Sequence, residues 1–301
     1  MGYGKPVLYF HLAAESPEMD LSAEVLLGDM FQVAEHYPPG TLSPDRRTLR
    51  WNVHLARGAC SGERTYPDAA SPACRLTSDG YCETAELAHY ETADASCLRV
   101  DDAEWPLLFY RGSSPRDEVA DATRLPLQVR VDDSGAIELI RSPRASATIG
   151  RVWHLQDKHV RALVDWPAPG ASAQVPSIEA PADPRALMRA ELESHGLTSD
   201  EIGAFGRAWF DELFGPAPQA TADTPSTGER VLDGAGRGGG EVGVGYLGLV
   251  GRGRSGSPGQ PDNVLLYWLP GEELDSVARL SFEPTPREVH RATLVRVYLG
   301  S

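Results

Sequence analysis

Between residues 49 and 55 the apolar side chains Leu49, Trp51, Val53 and Leu55 alternate with Arg50, Asn52 and His54. A period of two predicts a strand with one dry and one wet face. Short runs of β-branched and aromatic residues, broken by Pro, Gly, Asp and Ser, recur from residue 5 to about 167. They predict strands over 6–12, 21–27, 31–37 and 48–56, then 107–111, 125–131, 137–140, 149–155 and 160–166. Asp132-Asp133-Ser134-Gly135 supplies a hairpin turn between two of these runs. Many strands and almost no helix argue for an antiparallel sandwich or barrel-like β domain.

The period changes after a Pro/Ala-rich stretch at 168–182. Asp183 before Pro184 is an N-cap followed by proline at the first helical position, and Leu187, Met188 and Leu192 lead to a stop at Gly196. Thr198-Ser199-Asp200-Glu201 is a capping box for a second helix. Its Ile202, Phe205, Trp209, Phe210 and Leu213 fall on one face, and Gly215 ends it. Thirteen of the 32 residues from 228 to 259 are glycine, which predicts a flexible insertion over 216–262. A strand over 263–269, a short helix over 272–278 and a closing strand over 291–299 follow. The expected fold class is therefore α+β. An N-terminal antiparallel β-sandwich-like domain (3–167, with a cysteine-bearing insertion at 58–97) precedes a linker (168–182) and a small helical-hairpin plus strand domain (183–301).

Charge narrows the function classes. With 43 acidic against 28 basic residues the formal charge is −15, unsuited to nonspecific binding of nucleic acid or anionic membranes. No apolar run reaches the roughly 18 residues that a transmembrane helix requires. Only Lys5 and Lys158 are lysine, which leaves little room for Schiff-base or phosphate-binding lysine chemistry.

All four cysteines, Cys60, Cys74, Cys82 and Cys97, lie within 38 residues. Four cysteines allow three pairings, and nearest-neighbour closure favours Cys60–Cys74 with Cys82–Cys97. Their C-x13-C-x7-C-x14-C spacing lacks the C-x2-C knuckle of zinc sites. Disulfides imply an oxidising compartment, whereas the start at Met1 leads directly into an apolar strand without a signal-like stretch. A signal or lipoprotein leader absent from this sequence is the expectation that reconciles the two, giving a periplasmic, outer-envelope or secreted protein; the alternative is cytoplasmic.

Few chemical motifs stand out. Gly243-Val244-Gly245-Tyr246-Leu247-Gly248 fits G-x-G-x-x-G without the strand before and helix after that a dinucleotide site needs. No cofactor-binding residue is assigned. The eight histidines form no H-E-x-x-H, although folding could gather His11, His36 and His54. Asp79, Glu83 and Glu86, beside Gly80 and Cys82, offer hard oxygen ligands at short spacing, so calcium is the candidate ion; the alternation of an EF-hand is absent, and a solvated acidic loop is the commoner origin of such a cluster. Asp101, Asp102 and Glu104 form a second acidic group, whose paired carboxylates could serve hydrolysis of a glycosidic bond.

Four blocks carry a resemblance: Lys5-Pro6-Val7-Leu8-Tyr9-Phe10, Leu107-Leu108-Phe109-Tyr110-Arg111-Gly112, Trp209-Phe210-Asp211-Glu212, and Leu265-Leu266-Tyr267-Trp268-Leu269-Pro270. In this order the chain resembles a family of uncharacterised, exported bacterial proteins of myxobacterial and planctomycete type. That family shares a KPVLYFY-like opening, an LFYRG block, a tryptophan-rich helix and an LLY-x-LP strand. His11 stands where a second aromatic is expected. The resemblance implies export and a two-part architecture, and no catalytic residue carries over from it. The expected function is a non-catalytic exported or cell-envelope protein that binds a partner, polymer or ion. The alternative is an envelope-polymer hydrolase using Asp101, Asp102 and Glu104.

Overall fold

A computed structural model describes residues 3–4, 6–29, 31–61, 84–113, 126–145, 150–176, 181, 183–217, 242–252 and 263–299. The chain opens with strands β1 (Tyr3–Gly4), β2 (Val7–Leu12), β3 (Met19–Leu27), β4 (Gln32–Tyr37), β5 (Thr41–Leu42) and β6 (Thr48–Ala56). Helix α1 (Thr84–His89) precedes β7 (Cys97–Val100), β8 (Ala103–Trp105), β9 (Leu108–Ser113), β10 (Leu127–Val131) and β11 (Ile137–Arg141). Then come β12 (Val152–Gln156), β13 (His159–Val164), β14 (Ser172–Gln174) and helices α2 (Pro184–Ser194) and α3 (Ser199–Phe214). The C-terminal part holds β15 (Val242–Arg252), β16 (Asn263–Trp268), α4 (Gly271–Val277), β17 (Ala278–Glu283) and β18 (Glu288–Tyr298). The class is α+β, mostly strand, with sandwich-like sheets.

Three layers account for the apolar pattern. A nine-stranded inner sheet runs β1-β9-β2-β15-β18-β16-β12-β13, with β4 also on β9. A six-stranded outer sheet runs β17-β3-β6-β7-β8, with β5 also on β6. The inner strands are apolar at successive positions because both of their faces are covered. Leu8 and Phe10 of β2, with Leu265 and Tyr267 of β16, meet Leu49, Trp51, Val53 and Leu55 of the outer sheet. Val7 and Tyr9, with Leu266 and Trp268, turn the other way onto Met188, Leu192, Phe205 and Phe210 of α2 and α3. The outer strand β6 keeps the alternation read from its sequence, with Arg50 and Asn52 exposed. Each large apolar side chain that is fully buried contributes about 1.5–3 kcal/mol.

The expected boundary at 168–182 does not divide the sheets. Residues 172–174 within it form β14, paired with β11 in a third, three-stranded sheet. Strands β15, β18 and β16 lie between β2 and β12, and β17 pairs with β3 along its whole length. The physical reason is the two-sided burial of β2 and β16: the helical hairpin covers a face that would otherwise stay wet. The glycine-rich insertion is corrected in the same way. Residues 242–252 form an eleven-residue strand, antiparallel to β2 and parallel to β18. Backbone bonding on both flanks offsets the glycine entropy there. The G-x-G-x-x-G stretch runs along this strand and makes no turn.

Candidate functional site

The first turns of α3 meet the end of β2 and the segment 89–97. Thr198 caps the helix: its Oγ1 accepts from the Glu201 amide at 3.2 Å, and the Glu201 carboxylate accepts from the Thr198 amide at 2.8 Å. The other Glu201 oxygen lies 3.0 Å from His11 Nε2. Glu201 is buried, and His11, the penultimate residue of β2, reaches it. Burial by itself lowers the His11 pKa, but the Glu201 carboxylate, with Asp94 beyond it, outweighs burial and raises it. Around this pair the backbone is tied down. Ser96 accepts from the Leu12 amide at 2.8 Å, Tyr9 donates to the Tyr90 carbonyl at 2.7 Å, and Arg207 donates to the carbonyls of His89 at 3.3 Å and Glu91 at 2.5 Å.

Between α3 and residues 91–93 lies a cleft of about 470 Å³. Its helical wall is Ser199, Asp200, Gly203 and Arg207, one face at helical spacing. Gly203 costs the helix interior roughly 1 kcal/mol relative to alanine. A Cβ there would meet only Arg207 Nη1, at 3.5 Å, so packing does not demand the glycine, and the missing side chain leaves the cleft open. Opposite stand Glu91 and Thr92, and the Thr92 Oγ1 is buried without a hydrogen-bond partner among the described residues. The lining thus offers two carboxylates, two hydroxyls and one guanidinium, with no aromatic platform among its residues.

Cys60 forms part of the same cleft, and it is bonded to Cys97. The nearest-neighbour pairing expected from spacing is therefore wrong for Cys60 and Cys97. Sheet register explains the difference: Ala56 of β6 faces Cys97 of β7, and the Cys97 amide donates to the Gly58 carbonyl at 2.8 Å. The chain leaves the outer sheet and re-enters it at one place, and the bridge, with Cα atoms 4.7 Å apart, closes the base of the excursion. Cys74 and Cys82 lie outside the described residues.

The acidic candidates separate. Asp79 and Glu83 lie outside the described residues, and Glu86 is described only as backbone within α1. Asp101 and Asp102 are the two exposed turn residues between β7 and β8, Asp101 with φ of 53°. Glu104 accepts from the Ser61 amide at 3.2 Å, and its other oxygen is 3.6 Å from Arg99 Nε. The three histidines of the first strands also part company. His11 faces Glu201, His36 packs edge-on to Trp51, and His54 sits on the wet face of the outer sheet, 2.9 Å from Asp20. That carboxylate, and Glu18 after it, raise the His54 pKa.

A second polar node lies inside the helix-side core. Glu191 Oε2 accepts from the indole N–H groups of Trp153 at 2.9 Å and Trp268 at 2.7 Å, while Oε1 accepts from the Arg151 amide at 3.2 Å. Gly150 makes room for it: with φ of 73°, a Cβ there would stand 2.6 Å from the Trp268 ring and 3.0 Å from Glu191 Oε2. Local pattern places His11 on a strand and Glu201 in a capping box but shows neither their pairing nor the Glu191 node. The available signals were a glutamate inside the apolar stripe Met188–Glu191–Leu192, and a histidine at position 11 in place of an aromatic. Comparison with protein-family models, curated proteins and solved structures finds no match, so functional argument rests on geometry and chemistry.

Proposed function

We propose that this is a non-catalytic binding protein of the cell envelope or extracellular space, which takes a polar segment of a partner or polymer in the cleft between α3 and residues 91–93. The cleft itself carries the reading: a concave, mixed-charge site held open by Gly203 and bordered by the Cys60–Cys97 bridge. A disulfide beside the site supports an oxidising compartment, as does the resemblance to exported bacterial proteins. Among the described residues no helix is long and apolar enough to cross a membrane. The lining favours a ligand with both amino and hydroxyl or carbonyl groups, since Asp200 and Glu91 attract a cation while Arg207 limits the excess negative charge. Retention of the oxidised protein on intact cell-wall sacculi and on purified outer-envelope polysaccharide tests this. Gly203→Phe, which places a ring on the helical wall of the cleft, should abolish retention. Unchanged retention by a folded Gly203→Phe protein would refute the assignment to the cleft.

A further inference from the structure

The Cys60–Cys97 bridge has a carboxylate beside it. One ligand atom each from Cys60, Cys97 and Glu104 lies within 4.8 Å of the other two. We propose that, when the bridge is reduced, Cys60, Cys97 and Glu104 form a binding site for a thiophilic divalent cation of the zinc type. The proposal goes beyond the binding role of the cleft and concerns the same chain in its reduced state.

Three observations support it. Two of the ligands are set by strand pairing: Glu104 of β8 stands opposite Arg99 of β7, and Cys97, two residues before Arg99, projects to the same side. Tetrahedral zinc needs Zn–S of about 2.3 Å and Zn–O of about 2.0–2.2 Å, spacings that this array meets with small movements of Cys60, which lies in the loop just after β6. The carboxylate is already oriented. The Ser61 amide holds one of its oxygens and Arg99 approaches the other, the kind of outer support that metal-bound carboxylates carry. Two sulfurs make the set soft, which selects zinc over calcium or magnesium.

The chemistry balances with a dithiol reductant. Two electrons and two protons convert the Cys60–Cys97 bond to two thiols, and the reductant leaves as its own disulfide. The cation then displaces both thiol protons to solvent and binds two thiolates and the Glu104 carboxylate.

The test uses the full chain carrying Cys74→Ser and Cys82→Ser, which removes the other two thiols. The protein is reduced with a phosphine and desalted without oxygen, and zinc is titrated against a chromogenic chelator, with cobalt as a spectroscopic stand-in. The expected result is one zinc per chain and a thiolate-to-cobalt charge-transfer band. Affinity should fall at least about tenfold in Glu104→Gln. Binding should vanish in Cys60→Ser/Cys97→Ser and in the oxidised protein. No zinc bound by the reduced chain, full affinity in Glu104→Gln, or zinc retained by Cys60→Ser/Cys97→Ser would each overturn the proposal. Far-UV circular dichroism accompanies every sample, and a reduced chain that loses its β signal overturns it too, because the strands that bring the ligands together would be gone.

Discussion

Replacing Glu191 by alanine should cost the fold about 4 kcal/mol. One carboxylate oxygen receives two indole N–H groups, from Trp153 and Trp268, whose side chains are 0% and 1% exposed. Alanine would leave both donors without their acceptor in a core that includes Phe205 and Met188. Hydrogen bonds to a charged group are worth about 1.5–3 kcal/mol each, and a stranded buried donor costs about 1–3 kcal/mol. Two such bonds give roughly 3–6 kcal/mol, a large share of a typical stability of about 5–15 kcal/mol. Glu191→Gln keeps a carbonyl oxygen for the indoles but turns an amide toward the Arg151 N–H, so its cost is about 1–2 kcal/mol. Urea unfolding followed by tryptophan fluorescence reads both values, since two of the reporting indoles are the donors themselves. The diagnostic result is the order: wild type most stable, glutamine intermediate, alanine least. An alanine variant within about 1 kcal/mol of wild type would refute the reasoning, because it would mean that the indoles find other acceptors.

Three further outcomes follow from the same geometry. Removing the bridge with Cys60→Ser/Cys97→Ser frees a 37-residue separation and should cost about 4 kcal/mol on the chain-entropy estimate, a drop of roughly 6 °C in Tm by calorimetry. His195 donates from Nδ1 to the Arg291 carbonyl at 3.0 Å and packs at a tilt against Trp268, and burial lowers its pKa to about 4. Since the folded value lies below the unfolded value of about 6.5, this stabilisation is full above pH 6.5 and is lost as pH falls through about 4. Unfolding free energies of His195→Leu and wild type should therefore diverge between pH 7 and pH 4, with wild type losing about 3 kcal/mol more. Gly203→Ala should stabilise the protein by about 0.5–1 kcal/mol in thermal unfolding, because the added methyl meets only Arg207 at ordinary contact distance.

Local pattern in the sequence reached as far as local physics does. The alternation through Leu49, Trp51, Val53 and Leu55 made β6 legible as a one-sided strand, and the caps at Asp183 and Thr198 marked the starts of both helices. The runs around Leu8–Phe10 and Leu265–Trp268 were readable as strands, yet period alone does not say what covers a strand that is apolar on both faces. Helices from residues 184–214 do so here, and the division into two parts gave way to shared sheets. Glycine content concealed β15, whose hydrogen bonds come from β2 and β18, each distant in sequence. The cysteine pairing failed for a related reason. Which sulfurs meet depends on β6–β7 register, and nearest-neighbour spacing carries no information about it. The cleft was out of reach because its two walls meet only in the fold: the contact of Arg207 with the Glu91 carbonyl spans 116 residues.

Hydrogen–deuterium exchange of the oxidised protein, with and without solubilised cell-wall fragments, tests the binding role most directly. The account predicts slower exchange confined to residues 91–97 and the first turns of α3, 199–207, with the rest of the sheets unchanged. Unaltered exchange in both segments, or protection only on the wet face of the outer sheet around His54, would contradict it.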